Sequence, residues 1–393
     1  MTEHIVSRES FSRRIWRKTW QGAGVRLGFA WVAILVFMGV FAPFLANSMP
    51  LLMSKGGEIS APVLAYLSRE DVLVLAMFAL AVLLAWIPLS GGKRVLGFIA
   101  GTAVAALLVN AFVKPPAVMI YDQFRAPAYT EVDWRIMPPV PYAPQDYLRD
   151  FGDTGLEAPL EAESRVHLMG TEENGADVFS RMIHASRIAL SIGLIATGIG
   201  LVIGVILGGL MGYFSGVVDM LGMRLVEIFE SIPTLFLLLT FVAFFGRSLY
   251  MMMVIIGITS WSGYARYIRA EFLKLRKQDY VQAAIASGLP LSSILFRHML
   301  PNGVAPLLVG VSFGVASAIL AEATLSFLGL GLVDAPSWGQ MLNQAVKSST
   351  FNWWMAVFPG GAIFLTVFAY NLIGEAFRDA IDPQLSRKAG VNV

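Results

Sequence analysis

The chain has 393 residues, 56% of them hydrophobic and only 14% charged, against the roughly 25% charged residues of an ordinary soluble domain. Lipid is therefore the expected solvent for much of it, and a net charge of +2 is too small to point to nucleic acid. With no cysteine, disulfides, thiol chemistry and thiolate metal sites are excluded, and His4, His167, His184 and His298 are scattered without the spacing of a metal motif.

Taken in order, residues 1–26 form a basic tail with Arg8, Arg13, Arg14, Arg17, Lys18 and Arg26, without the pattern of a cleavable signal. A membrane span needs roughly 20 apolar residues, and the first is predicted within residues 27–46, at Leu27–Ala46. Residues 47–113 read as an inserted loop and helical hairpin, with spans at Val72–Leu89 and Val95–Val113 joined by the tight tip Ser90-Gly91-Gly92-Lys93-Arg94. Residues 114–187 open with Lys114-Pro115-Pro116, contain MPPVPYAPQDY and are rich in acids, from Asp122 to Glu163. Proline content predicts a partly extended linker in their first half, the other reading being an extracytoplasmic docking surface.

Residues 188–376 hold five further predicted spans: Ile188–Gly212, Val217–Phe245, Leu249–Ile268, Gly303–Leu332 and Trp354–Ala376. Gly200, Gly204, Gly208 and Gly212 share one helix face and allow close backbone approach, and Gly310, Gly314 and Ala318 repeat the pattern. The span from Val217 opens with Asp219, Arg224, Glu227 and Glu230; Arg224 and Glu227 can pair within one interfacial turn, and Ser231 and Thr234 continue that face. Glu322 lies deep in a span, where an ionisable group faces the bundle interior or a water-filled path, a structural hydrogen bond being the alternative. Glu322, Ser326 and Glu230 are the candidate residues along such a path.

Lys93 and Arg94 at the hairpin tip, Arg266, Arg269, Lys274, Arg276 and Lys277 after the sixth span, and Arg378, Arg387 and Lys388 in the tail 377–393 set the orientation. About eight spans starting inside leave both termini cytoplasmic and residues 114–187 outside. The expected fold is all-α, a polytopic membrane helix bundle.

The cytoplasmic stretch DYVQAAIASGLPLSSILFRHMLPN, Asp279–Asn302, is a broken helix between two spans. Asp279 and Gln282 fit a capping box for a short helix Tyr280–Ser287. Gly288 permits the left-handed turn that ends it. Pro290 suits the start of a second helix to about His298, which Leu300-Pro301-Asn302 stops before the next span.

QAAIASG…HMLP, Gln282–Gly288 and His298–Pro301, resembles the cytoplasmic loop of ABC importer permeases, with Gln282 where that family has an acid and His298 where it has isoleucine. HLMGTEENGADVFSRMIHASRIALSIG, His167–Gly193, is similar to the segment before the transport domain in the C-type permease of oligopeptide, dipeptide and nickel importers. Gly170-Thr171, Gly175, Asp177-Val178, Ser180-Arg181 and Arg187 match, and Ala176 replaces the usual arginine. AEATLSFLGLG, PSWGQML, WW with FPG, and NLIGEAFRDAIDP follow in the family's order. The resemblance covers residues 8–46 loosely and 167–383 well; the hairpin and following loop depart from a six-span permease core.

The resemblance implies a multi-pass subunit of a bacterial cytoplasmic (inner) membrane importer working by alternating access. Loop 279–301 would be its coupling helix, seated on an ATPase through Asp279, Tyr280, Gln282, Ala283, Ala284, Gly288, Arg297, His298, Leu300 and Pro301. A second permease in a hetero-dimer, two cytoplasmic ATPases and an extracytoplasmic binding protein are the implied partners. Peptide is the implied cargo, with nickel, sugars and other small solutes open. The chain has no G-x-x-x-x-G-K-[ST] loop, so ATP and Mg are expected on the ATPases, with no catalytic residue or cofactor on this chain. An ion-gradient-driven secondary transporter is the alternative, but such carriers usually show internal repeats and helices broken at mid-membrane. An intramembrane enzyme would need a catalytic partner for Glu322 at membrane depth.

Overall fold

The computed structural model describes residues 19–20, 22–116, 119–124, 132–148, 155–161, 166–332, 335–350 and 352–381. The tail basics Arg8, Arg13, Arg14, Arg17, Lys18, Arg387 and Lys388 lie outside them. In chain order come α1 (Ala23–Leu45), β1 (Leu52–Lys55), β2 (Glu58–Ser60), α2 (Pro62–Ala65), α3 (Arg69–Trp86), α4 (Gly91–Phe112) and β3 (Trp134–Ile136). Then follow α5 (Val178–Phe214), α6 (Gly216–Ser231), α7 (Thr234–Phe245), α8 (Leu249–Leu275), α9 (Asp279–Ala286), α10 (Leu291–Ser293), a π-helical turn (Ile294–Met299), α11 (Leu300–Phe327), α12 (Trp338–Lys347) and α13 (Trp353–Ile381).

Helix stands at each of the eight expected spans. Among the described residues α1, α4, α5, Leu307–Phe327 of α11, and α13 are long and apolar enough to cross a membrane, and the pair α6–α7 makes a sixth if a bent span is counted. The single span expected at Val217–Phe245 is corrected, because its two halves are turned by 82°. Pro233 has no N–H for the helix ladder and forces Ile232 into extended backbone, φ −91 and ψ 122. Helix α3 is set apart by three charges, Arg69, Glu70 and Asp71, in its first turn, and α8 is less apolar through its hydroxyl and arginine side chains.

The chain forms two compact units. The first comprises Met1–Ala33, Ala189–Val333 and Gly360–Val393. Along the face of Gly200, Gly204, Gly208 and Gly212, α5 packs closely on α8. A Cβ at Gly204 would sit 2.5 Å from the Tyr264 Cβ and 2.9 Å from the Ala265 nitrogen, and one at Gly212 would sit 2.8 Å from the Arg269 carbonyl oxygen. Backbones this close exclude any side chain larger than hydrogen. Trp31 Nε1 donates to Thr366 Oγ1 at 3.0 Å, joining α1 to α13.

The second unit comprises Ile34–Ile188 and Asp334–Pro359. Its antiparallel sheet has the order β2-β1-β3, with Met53 opposite both Ser60 and Arg135. Met53 packs with Met49, Val63 and Phe124 beneath the sheet. Residues 132–148 are therefore not the extended linker that proline content suggested. Val140 and Tyr142 pack against Ala42, Ala46 and Ile183, and the Asp133 carboxylate accepts from Ser54 Oγ at 2.9 Å and from the Gly57 N–H at 3.1 Å. Those donors hold Asp133 below the usual carboxylate pKa. The hairpin α3–α4 closes on Gly101, whose Cβ would meet Leu80 at 2.5 Å. Asp71 then binds Arg187 at 2.6 Å, while Arg187 Nε donates to the Gly39 carbonyl at 2.9 Å, so one arginine ties α3, α1 and the start of α5 together.

Candidate functional site

The segment between α8 and α11 forms a knob on the first unit. Gln278, not Asp279, is the N-cap of α9, and no side chain caps it. The expected capping box is thus corrected. Asp279 is already in the first helical turn, where its charge complements the helix dipole. Gln282 instead donates from Nε2 to the Arg276 carbonyl at 2.7 Å. Gly288 has φ +68, and the Leu289 N–H reaches Ala284 O at 3.3 Å while the Gly288 N–H reaches Ile285 O at 3.0 Å. This is the paired hydrogen-bond pattern of a glycine helix terminator.

The second half differs from expectation. Helix does not stop at Leu300-Pro301-Asn302: the π-helical turn Ile294–Met299 runs directly into α11. Pro301 stands in the first turn of α11, where its missing N–H costs little. The Leu300 N–H bonds to Leu295 O, the wider π spacing.

The knob has a buried root and an exposed crown. Val281 and Ala284 point inward with Ile294, Leu295 and Met299 onto Ile268, Phe272 and Leu275 of α8. Asp279, Tyr280, Gln282, Ala283, Gly288, Arg297 and Pro301 are exposed, His298 and Leu300 are half-buried, and Ala284 is buried. Ile285, Leu289 and Leu291 add exposed apolar surface.

A cleft of about 340 Å³ opens elsewhere in the same unit. Thr234 and Leu238 of α7, Thr259, Ser260, Tyr264 and Tyr267 of α8, and Gly310, Gly314, Ser317 and Ala318 of α11 line it. The lining surface is mostly apolar, with the Thr, Ser and Tyr hydroxyls set among small and apolar residues, and no lining residue is charged. Tyr264 Oη donates to the Gly310 carbonyl at 3.5 Å. The expected path residues stand apart from this cleft. Glu322 and Ser326 are buried, with Ser326 Oγ donating to Glu322 Oε1 at 2.6 Å, and Glu230 is ion-paired with Arg266. Sequence reasoning missed Thr259, Tyr264 and Tyr267; a run of hydroxyl side chains in an otherwise apolar helix was the available signal. The Arg224–Glu227 pair forms as read, at 2.5 Å and largely exposed.

In the second unit the segment from His167 builds a buried polar anchor. His167 Nδ1 lies 2.8 Å from Asp177 Oδ2, with both side chains 1% exposed and the Tyr142 ring 4.3 Å from the imidazole. Asp177 Oδ1 also accepts from the Ser180 N–H at 2.6 Å, which caps the start of α5. Arg181 Nη2 donates to Gln344 Oε1 at 3.1 Å, and Trp354 Nε1 donates to the Thr171 carbonyl at 3.0 Å. Burial raises the Glu172 carboxyl above its usual range, whereas the Ser348 hydroxyl and the Ser349 N–H hold the exposed Glu173 below it. Ala176 is fully buried. No group of three or more metal-binding side chains occurs among the described residues.

The sequence profile of the family described as "Binding-protein-dependent transport system inner membrane component" matches residues 200–387. The chain is 33% identical over 283 residues to the oligopeptide transport system permease protein OppC of Haemophilus influenzae, covering 72% of this chain and 84% of that one. It is 36% identical over 248 residues to OppC of Bacillus subtilis, covering 63% of this chain and 81% of that one. To the di/tripeptide transport system permease protein DppC of Pseudomonas aeruginosa it is 39% identical over 253 residues, covering 63% and 82%. A solved structure of the MetNI methionine ABC transporter in an inward-facing conformation aligns with a TM-score of 0.43 at 17% identity, over 52% of this chain and 98% of that chain.

Proposed function

The chain belongs to the family of binding-protein-dependent transport system inner membrane components, the permease subunits of ABC importers, and from that premise we propose how it works. It is a multi-pass bacterial inner-membrane protein and a transport subunit; ATP is hydrolysed on a partner. The knob Asp279–Pro301 seats in a groove of a cytoplasmic ATPase. What supports this is its build: an exposed apolar crown of Tyr280, Ile285, Leu289 and Leu291 on a root packed into α8 and α11. A rigid root transmits displacement, and exposed apolar side chains on a small knob suit a partner's groove.

Peptides are the cargo, a reading supported by the oligopeptide, dipeptide and glutathione permeases among its relatives. A second permease completes a hetero-dimer, two ATPases carry ATP and Mg, and a binding protein delivers cargo from outside. The cleft between α7, α8 and α11 is this subunit's wall of the path, because uncharged hydroxyls can hydrogen-bond a peptide backbone without selecting its side chains. Glu322 and Ser326 support that wall from within α11.

Mild-detergent purification of the native complex tests the assembly, with an ATPase and a second permease expected alongside this chain. In that complex Ser287→Cys should crosslink to a cysteine in the ATPase groove, with a yield that ATP changes. No crosslink from any position between Ala283 and Ser292 would overturn the coupling assignment.

A further inference from the structure

Helix α6 is a strut with a joint at each end. Ser215, just before it, and Gly216, its first residue, both have positive φ, +52 and +57. Ile232 and Pro233, just after it, carry the 82° bend into α7. A non-glycine residue in the left-handed region is disfavoured, so the conformation at Ser215 needs support from its surroundings.

That support comes from α8, whose arginines reach along the strut. Arg266 pairs with Glu230 near the second joint. Arg269 grips both carboxylate oxygens of Asp219, its Nη2 2.6 Å from Oδ2. Arg276 Nη1 donates to Ser215 Oγ at 2.7 Å, at the first joint. Arg276 also terminates α8, and its carbonyl is the group that Gln282 of the knob binds. Apart from these arginines, α6 is held by Val226 and Phe229 against Met211, Trp261 and Ala265, while Val217, Leu221 and Ile228 are exposed. Beyond the second joint, Thr234 and Leu238 line the cleft.

We propose that Arg266, Arg269 and Arg276 form a clamp that makes α6 move with the coupling knob, and that Ile232–Pro233 is the hinge through which this movement reshapes the cleft. A bidentate guanidinium–carboxylate contact fixes direction as well as distance, so it transmits displacement where a flexible lysine would not. The clamp rests on the reading of the knob as the ATPase contact. In it Arg266, Arg269 and Arg276 are positioning residues; they touch no cargo.

The test uses the assembled complex in lipid and exploits the cysteine-free chain. A Thr234→Cys reporter is labelled with a thiol reagent with and without ATP. The clamp predicts an ATP-dependent change in labelling rate of about fivefold or more, falling to within about twofold in Arg269→Gln. The exchanged pair Asp219→Arg with Arg269→Asp should restore it. An undiminished response in Arg269→Gln, or no restoration by the exchanged pair in an assembled complex, would overturn the clamp. Should Arg269→Gln fail to assemble, Glu230→Gln cuts the clamp's other ion pair, Arg266–Glu230 beside the hinge, and must also weaken the response. A Ser287→Cys reporter separates the two readings: a response there with none at Thr234 in the otherwise unaltered chain overturns the hinge alone, while no response at Ser287 overturns the coupling reading beneath it.

Discussion

The knob Asp279–Pro301 and the segment His167–Arg181 are both stretches that resemble family motifs, and they use their residues in opposite ways. The knob hides Val281 and Ala284 and presents Tyr280, Ile285, Leu289 and Leu291. The other segment hides His167, Thr171, Glu172, Asp177 and Arg181 and turns polar groups of these residues toward one another, neighbouring backbone and Gln344. Burial separates the two: the buried polar residues anchor the chain to itself, and the exposed apolar ones leave the surface that we propose seats a partner. Substitutions in the anchor should lower stability, and those in the knob should lower communication while leaving the subunit folded.

The largest effect is expected at the anchor. Asp177→Ala removes the partner of a buried histidine together with the cap of α5, and should destabilise the subunit by about 3 kcal/mol or more. Thermal unfolding in detergent reads this directly, and an unchanged midpoint would erase the distinction between anchor and knob. Next comes the glycine contact. Gly204→Leu forces α5 from α8 and should cost about 1–3 kcal/mol or more, seen as lower membrane abundance. Gly288→Ala meets no neighbouring atom, so only its left-handed backbone resists, at about 1–2 kcal/mol confined to the knob. Transport should fall while the unfolding midpoint stays close to that of the parent chain; equal losses in both would place the knob among the anchors. Leu289→Ser should weaken ATPase retention on size exclusion by about 1–2 kcal/mol without moving the midpoint.

The smallest effect concerns pH. Glu173 is held below its unfolded value by Ser348 and Ser349, so its contribution is present above about pH 4.5 and lost as pH falls through the depressed folded value. Being exposed, it contributes little. Glu173→Gln should therefore narrow the stability gap between neutral and acid pH slightly, and a wider gap would contradict the sign.

Much of this was legible beforehand. The positions of the helices followed from runs of apolar residues. The left-handed turn at Gly288 and the close approach along Gly200–Gly212 followed from residue types that tolerate those geometries. The capping box was misread because the Gln282 amide can either accept from a backbone N–H or donate to a carbonyl, and only the position of the Arg276 carbonyl decided for donation. The stop at Pro301 was misread because a π-helical turn absorbs a proline that ordinary helical spacing would not. The sheet β1–β3 escaped because its strands are three or four residues long, too short for an alternating pattern to register, and β3 begins at Trp134, far along the chain from the β1–β2 hairpin that turns at Gly56-Gly57.

Sequence alone thus determined a helical membrane subunit with a broken-helix knob between two of its helices, since apolar runs and a spaced motif are local properties of the chain. Tertiary structure alone decided the rest: that the fifth span bends at Ile232–Pro233, that the cleft is lined by Tyr264 and Thr259 instead of Glu322, and that Arg266, Arg269 and Arg276 grip α6. Each of those depends on which side chains from distant parts of the chain arrive within a few ångströms of one another, and no local pattern encodes that distance.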